Sequence, residues 1–371
     1  MALSHNDFMD AALLLARKGE GRTRPNPPVG AVVVQAESVV GEGFHPRAGE
    51  PHAEVFALQE AGEAARGADL YVTLEPCCHT GRTGPCSEAI IAAGIARVFV
   101  GTRDPNPKVS GQGIAQLRAA GITVVEGVLE EEARRLIAPF TRHMLTGMPL
   151  VLFKGALTLD GFTATRSGDS RWVSCAESRE RVHRLRDTVD AVMVGIGTVL
   201  ADDPQLTTRL PRGGRNPDRI VVDSGLRIPE DSRLLGSPAG VHTILATTSA
   251  ADTEKIARLK RAGADVWILP ADKTGKVSLT DLCKELGRHD YQYIMLEGGA
   301  RLAGGMWRED LIQRVQLYLA PKLYGGDDGL KLFTGPGNEL MNDSTPLLHV
   351  RYQQCGVDMV VEGEVAACLP A

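Results

Sequence analysis

Apolar residues recur at helical spacing from Asp7 to Lys18 (Phe8, Ala11, Ala12, Leu15), which predicts a first helix capped by Asn6 or Asp7 and stopped at Gly19. The period then changes. Val29 to Gln35 and Val39 to Phe44 are β-branched runs separated by a turn over Gln35 to Ser38, the pattern of an antiparallel hairpin. The preceding stretch, Arg24-Pro25-Asn26-Pro27-Pro28-Val29-Gly30, cannot be helical, since proline lacks an N–H and keeps the residue before it extended. Strands are predicted at Asp69 to Leu74, Arg97 to Gly101 and Thr123 to Val125, alternating with helices from about Ala53 to Ala65 and from Ser87 to Ala93. Such an alternation gives an α/β sheet covered by helices.

The pattern restarts after Thr146-Gly147-Met148-Pro149, so one domain is expected over residues 1–147 and a second over 148–371. Leu150 to Ala156 reads as a buried strand. More strands are predicted at Ala191 to Gly195, Arg219 to Asp223, Thr243 to Thr247, Val266 to Leu269, Tyr293 to Glu297 and Val315 to Leu319, with helices between them.

Composition narrows the function. A chain of 371 residues with 43% hydrophobic and 23% charged positions is long enough for two cores. A net charge of -5 and 5% aromatic residues give no footprint for nucleic acid, which favours a small-molecule substrate. Three of the seven cysteines crowd between Cys77 and Cys86, which suits metal-binding thiols in the reducing cytoplasm better than a disulfide framework. No apolar run is long enough to span a bilayer, and no basic segment leads into an apolar one at the N-terminus, so neither a membrane nor secretion is expected.

Two segments carry metal chemistry: His52-Ala53-Glu54, and Glu75-Pro76-Cys77 through Pro85-Cys86. One imidazole and two thiolates make a three-ligand zinc set with a fourth tetrahedral position open for water, the mark of a catalytic rather than a structural zinc. Glu54, two residues beyond His52, is placed to move protons between that water and a leaving amine. His52 is predicted at a helix start, with Cys86 just ahead of another, where positive helix ends favour thiolate and hydroxide. Cys78 and His79 compete for the ligand role; they are set aside because the usual C-x-x-C spacing is stretched here to eight residues between Cys77 and Cys86. His79 and Arg82, inside that insertion, are candidates for a substrate phosphate, against a plain solvated loop.

In the second half, Val194-Gly195-Ile196-Gly197-Thr198-Val199-Leu200 lacks the third glycine of a dinucleotide fingerprint and reads as a tight turn. Leu296-Glu297-Gly298-Gly299-Ala300-Arg301-Leu302-Ala303-Gly304-Gly305 is the better anion site, because a strand ending in two glycines leaves free backbone N–H groups for a diphosphate.

The stretches Arg24 to Gly30, Gly49 to Glu54, Tyr71 to Cys77 and Asp104-Pro105-Asn106-Pro107 resemble the bifunctional deaminase-reductase of riboflavin biosynthesis. Lys154 to Gly161, Gly168 to Trp172, Gly197 to Pro204, Leu206 to Arg209 and Glu297 to Gly299 resemble its reductase half, so the likeness covers nearly the whole chain. It implies a cytidine-deaminase-like N-terminal mixed sheet with helices on both faces and a dihydrofolate-reductase-like C-terminal α/β domain. It also implies one zinc on His52, Cys77 and Cys86, with Glu54 as acid-base and Asn26 against the pyrimidine. In the second domain it places NADPH against Ala156, Trp172, Thr198, Asp202, Ser224 and the run Gly299, Ala300, Arg301, Leu302, Ala303, Gly304, Gly305. The substrate falls against Ser170, Arg186, Leu206, Arg209 and Glu297, with the two arginines suited to a ribose phosphate. Lys154 and Asp160 are weaker candidates for ordering the ribose or relaying a proton. A homo-oligomer, dimer or tetramer through the second domain, is the family's implication too. Two departures, Cys78 where serine is common and Gly84 where proline is common, touch only the loop.

Two rivals remain to be separated. A nucleic-acid deaminase needs a basic, aromatic groove, which the composition does not favour. A zinc-stabilised interaction module needs a fourth protein ligand, from Cys78 or His79.

Overall fold

The N-terminal helix α1, His5–Arg17, begins two residues earlier than its apolar period suggested. Ser4, not Asn6 or Asp7, is its cap: the Ser4 hydroxyl takes the Asp7 N–H while the Asp7 carboxylate takes the Ser4 N–H at 2.7 Å. The computed structural model describes residues 3–79, 84–107, 109–236 and 238–366, and the chain divides into two units, Met1–Gly147 and Met148–Ala371.

In the first unit α1 is followed by β1 (Gly30–Gln35), β2 (Ser38–Phe44), α2 (Ala53–Ala61), β3 (Asp69–Leu74), α3 (Cys86–Ala93), β4 (Arg97–Thr102), α4 (Gln112–Ala119), β5 (Thr123–Glu126), α5 (Glu130–Leu136) and α6 (Ala138–Thr146). The sheet order is β2-β1-β3-β4-β5, with β2, β1 and β3 antiparallel and β3, β4 and β5 parallel. The hairpin is where the β-branched runs put it, and Ala36 and Glu37 turn it with φ of 48° and 62°. The helix expected over Ala53 to Ala65 ends at Ala61, because Gly62 turns to positive φ and a 3-10 turn follows.

Strand alternation explains why both faces are covered. Ala31, Val33, Leu70, Val72, Val98 and Val100 point to one side and pack on α2, α3 and α4. Val32, Val34, Tyr71 and Phe99 point to the other, onto α1 and α5. Helix α2 presses close on β2: a Cβ at Gly43 would fall 2.2 Å from the Ala53 carbonyl oxygen, so a side chain there would push away the turn that carries His52 and Glu54.

The second unit contains β6 (Leu150–Thr158), β7 (Phe162–Ala164), α7 (Ala176–Thr188), β8 (Ala191–Gly195), α8 (Ile196–Asp202), β9 (Asp218–Val222), β10 (Thr243–Thr247), α9 (Thr253–Arg261), β11 (Asp265–Ile268), α10 (Leu279–Arg288), β12 (Tyr293–Glu297), α11 (Ala300–Arg308), β13 (Arg314–Ala320), β14 (Leu330–Lys331), β15 (Leu347–Cys355) and β16 (Asp358–Val365). Nine strands form one sheet in the order β11-β10-β9-β8-β12-β6-β13-β16-β15, parallel except where β16 pairs with β13 and β15. The residues read as a glycine turn after β8 are instead helix α8, with Gly197 inside it. Apolar cores lie on both faces: Val151, Met193, Ile220, Ile244 and Ile294 against α10 and α11, and Val192, Val194, Val221, Leu245 and Met295 with α9.

Candidate active sites

At the C-terminal end of β3 the chain leaves the sheet as Glu75-Pro76-Cys77, and Glu75 fixes that exit. Its buried carboxylate accepts backbone N–H groups from Asp104 (3.2 Å), Gly111 (2.9 Å), Gly113 (3.0 Å) and Ile114 (3.3 Å), fastening the loop after β4 to the loop after β3. Gly113 allows the approach, since a Cβ there would lie 1.9 Å from the Pro76 oxygen. Cys77 is then held against the first turn of α3: its carbonyl takes the Ser87 N–H and hydroxyl, both at 3.1 Å, and the Cys86 N–H points at its Sγ at 3.4 Å. Cys86 is the first residue of α3, not the one before it, and His52 is the N-cap of α2.

These three elements converge. The His52 Nδ1 lies 3.2 Å from Cys86 Sγ and 3.5 Å from Cys77 Sγ, and the three donors all lie within 4.8 Å of one another. Ligands at ordinary zinc–nitrogen and zinc–sulfur distances around a tetrahedron stand about 3.6 Å apart, so the donor set and its spacing fit zinc. Cys78 is not in the cluster; its Sγ faces Gln112 Oε1 at 3.9 Å, and His79 is exposed. Arg82 lies outside the described residues.

The electrostatics also suit a cation. A hydrogen bond from Cys86, helped by His52, holds the Cys77 thiol down at about 4, while that bond and burial push Cys86 up. Burial and then the Cys77 charge raise Glu54 to about 7. Glu54 is 3% exposed, and its Oε2 is a buried oxygen with no hydrogen-bond partner among the described residues. An orphaned buried acceptor is costly unless something else comes to meet it.

Asn26 is one ring away from the cluster. Its side-chain amide lies 3.1 Å from Nε2 of His45, a residue the sequence reading passed over; the His45 ring stands edge-on to His52 at 5.2 Å. The available signal was its place directly after a strand and seven residues before His52.

In the second unit the expected residues gather at the C-terminal ends of neighbouring parallel strands, where open α/β sheets bind ligands. Gly298 and Gly299, with φ of 61° and 68°, turn the chain from β12 into α11. A Cβ on Gly298 would lie 3.2 Å from Thr198 Oγ1, so Thr198 in α8 sits beside that turn. Ala300, Arg301 and Leu302 form the first helical turn. Ala303, Gly304 and Gly305 lie deeper: the Ala303 N–H is already bonded to the Gly299 carbonyl, and Gly304 packs so tightly that a Cβ would meet the Thr334 oxygen at 2.3 Å. Backbone N–H groups open to an anion are therefore confined to the start of α11.

Asp202 ends α8 and faces Arg171 at 3.9 Å. Trp172 is 61% exposed, with the Arg179 guanidinium 4.5 Å over its ring and Lys322 donating to its carbonyl. Ser170 is partly buried beside it, and Ala156 lies on β6 against Val182 and Tyr318. The Ser224 hydroxyl already accepts the Val277 N–H at 3.0 Å.

The charged residues differ most from expectation. Arg186 is buried and grips Glu297 with two bonds of 2.9 Å, with a third N–H to the Thr207 carbonyl at 2.9 Å. Its fork is thus occupied by Glu297, another expected substrate residue 111 positions away. Glu297 is driven down to about 2: burial works against it, but the Arg186 and Lys154 charges outweigh burial. Burial in turn lowers Lys154, whose Nζ lies 5.8 Å from the Tyr318 ring centre. Arg209 is exposed and makes no ion pair among the described residues; burial of its surroundings and the charges of Arg186 and Arg233 press it below its ordinary value. Of the two arginines expected to hold a phosphate, Arg209 alone has a guanidinium without a hydrogen bond or ion pair among the described residues. Leu206 is 4% exposed and packs in the core with left-handed φ of 52°, so only its main chain can face a ligand. Asp160 is taken up by a turn, accepting from Thr158, Tyr324 and Gly325, which hold it at about 2 and leave it ill-suited to relay protons.

Comparison with known proteins matches both halves. The family model for the cytidine and deoxycytidylate deaminase zinc-binding region matches residues 3–102, and that for the RibD C-terminal domain matches residues 149–361. The riboflavin biosynthesis protein RibD of Actinobacillus pleuropneumoniae is 42% identical over 356 residues, covering 96% of this chain and 94% of that protein. The structure of Acinetobacter baumannii RibD superposes with a TM-score of 0.84 at 36% identity, over 97% of this chain and 98% of that one. A diaminohydroxyphosphoribosylaminopyrimidine deaminase/5-amino-6-(5-phosphoribosylamino)uracil reductase from Thermotoga maritima gives the same TM-score and identity over the same shares. This chain belongs to the RibD family of riboflavin biosynthesis, bifunctional enzymes that join a zinc deaminase to an NADPH-dependent reductase.

Proposed function

We propose that residues 1–147 hydrolytically deaminate 2,5-diamino-6-(5-phosphoribosylamino)pyrimidin-4(3H)-one, and that residues 148–371 then reduce the ribosyl side chain of the product to ribityl. The observation that carries the first step is the orphaned Oε2 of Glu54 beside the His52, Cys77 and Cys86 donors. Zinc held by those three residues supplies Lewis-acid activation of water at neutral pH. Glu54, buried with a free Oε2 beside the donors, is placed to collect the proton of the attacking water and pass it to the departing ammonia. Asn26 holds the pyrimidine edge.

The start of α11, Thr198 and Trp172 would hold NADPH, which would supply the hydride for the second step. Lys154 and the Arg186–Glu297 pair order the ribose, and Arg209 takes the phosphate. The described residues include no helix long and apolar enough to cross a membrane. The free thiols of the zinc trio suit a cytoplasmic enzyme, and assembly into a dimer or tetramer through the second domain is part of the proposal.

The test is Glu54→Gln. Ammonia release should fall about 10²–10⁴-fold, with one zinc retained per chain and NADPH oxidation on the deaminated pyrimidine intact. Ammonia release within a few-fold of the unaltered enzyme would overturn the assignment.

A further inference from the structure

The arrangement of hydrogen bonds around His45 assigns it a task that the proposed deamination leaves open. His45 directly follows β2, is 2% exposed, and its backbone N–H is bonded to the Val29 carbonyl. Each ring nitrogen has one partner. The Nδ1 lies 3.0 Å from the carbonyl oxygen of Pro51, the residue before His52, and Nε2 lies 3.1 Å from Nδ2 of Asn26.

These contacts fix the tautomer and then the amide. The Pro51 carbonyl can only accept, so Nδ1 carries the hydrogen. A neutral imidazole has one ring hydrogen, so Nε2 presents a lone pair. That lone pair accepts an N–H from Asn26 and repels a carbonyl oxygen. Asn26 therefore cannot flip: its NH₂ faces His45, and its Oδ1 is turned away as an acceptor. The same ring links the segment carrying Asn26 to the residue before a zinc ligand.

We infer that His45 is a positioning residue for the deaminase: it locks the Asn26 amide in the orientation that offers an oxygen to an N–H-bearing pyrimidine edge, and so selects an amino-substituted ring over one with a carbonyl there. The inference rests on the reading that Asn26 touches the pyrimidine.

The experiment uses the full-length zinc-loaded chain and measures ammonia release, with zinc content and NADPH oxidation as controls. His45→Asn lacks an acceptor at the Nε2 position and frees the amide; KM for the diaminopyrimidine should rise about tenfold with kcat changed much less. His45→Gln carries an acceptor at that reach and should recover most of the loss. Asn26→Ala should raise KM at least as far, and the double variant His45→Asn with Asn26→Ala should be no worse than Asn26→Ala alone, because one residue acts through the other.

The failures are distinguishable. An Asn26→Ala enzyme with unchanged KM overturns the Asn26 reading and this inference with it. A raised KM in Asn26→Ala combined with additive losses in the double variant overturns the His45 inference alone. Loss of zinc in both His45 variants also overturns it, since His45 would then act through the segment that bears His52.

Discussion

Replacing Glu297 by glutamine breaks the buried pair at the heart of the second unit. The two side chains are 9% and 13% exposed and meet through two bonds of 2.9 Å. At ~1.4 kcal/mol for each pH unit, the drop of Glu297 from 4.5 to about 2 corresponds to ~3 kcal/mol of stability at neutral pH, in the range known for removing one partner of a buried pair. The sign follows from the depressed folded value. The stabilisation is complete above 4.5 and is lost as the pH falls from there through about 2. All three tryptophans, Trp172, Trp267 and Trp307, belong to the second unit, so tryptophan fluorescence in urea reports its unfolding. Glu297→Gln should lower the unfolding free energy by ~3 kcal/mol at pH 7, and the gap should narrow below pH 4. A loss under about 1 kcal/mol, the worth of an exposed pair, or a gap that ignores pH, would refute the reasoning.

Glu75→Gln turns an amide NH₂ toward backbone N–H donors and should cost the first unit ~2–3 kcal/mol, read by circular dichroism on heating, with weaker zinc retention on dialysis. His183 is pressed down to about 4, by burial and then by the Arg186 and Arg209 charges. It should therefore cost the second unit on the order of 1–2 kcal/mol as pH falls from 7 to 5; in His183→Asn the tryptophan-detected unfolding midpoint should vary less over that interval. Cys78→Ser should keep one zinc per chain by metal analysis and Cys77→Ser should not, because Cys77 reaches His52 Nδ1 and Cys78 faces Gln112 instead.

The strands that build the two sheets were legible because each sits between packed layers: Asp69–Leu74, Ala191–Gly195, Thr243–Thr247 and Tyr293–Glu297 fall where their apolar runs do. The strand Leu347–Cys355 gave no such signal. It is the edge of the nine-stranded sheet and is mostly exposed, so its sequence follows no apolar alternation. Helix α8 was hidden by Gly195 and Gly197, which read as turn residues until packing against β8 and β9 decides for a helix. At the site, residue types were visible but partners were not. Arg186 and Glu297 could each be singled out, yet nothing local tells that they bind each other across 111 residues. The spacing of His52, Cys77 and Cys86 was readable because strand-to-helix exits place them; the His45 contact to Asn26 depends on how the proline-rich segment folds back, which no periodicity encodes.

X-ray absorption at the zinc edge of the full-length protein tests the central claim most directly. Three protein donors predict two sulfur neighbours at ~2.3 Å and two nitrogen or oxygen neighbours near ~2.0 Å, with substrate analogues perturbing only the lighter shell. Three sulfur neighbours, or a shell of four protein donors that no pyrimidine disturbs, would make this a closed structural zinc and contradict the account.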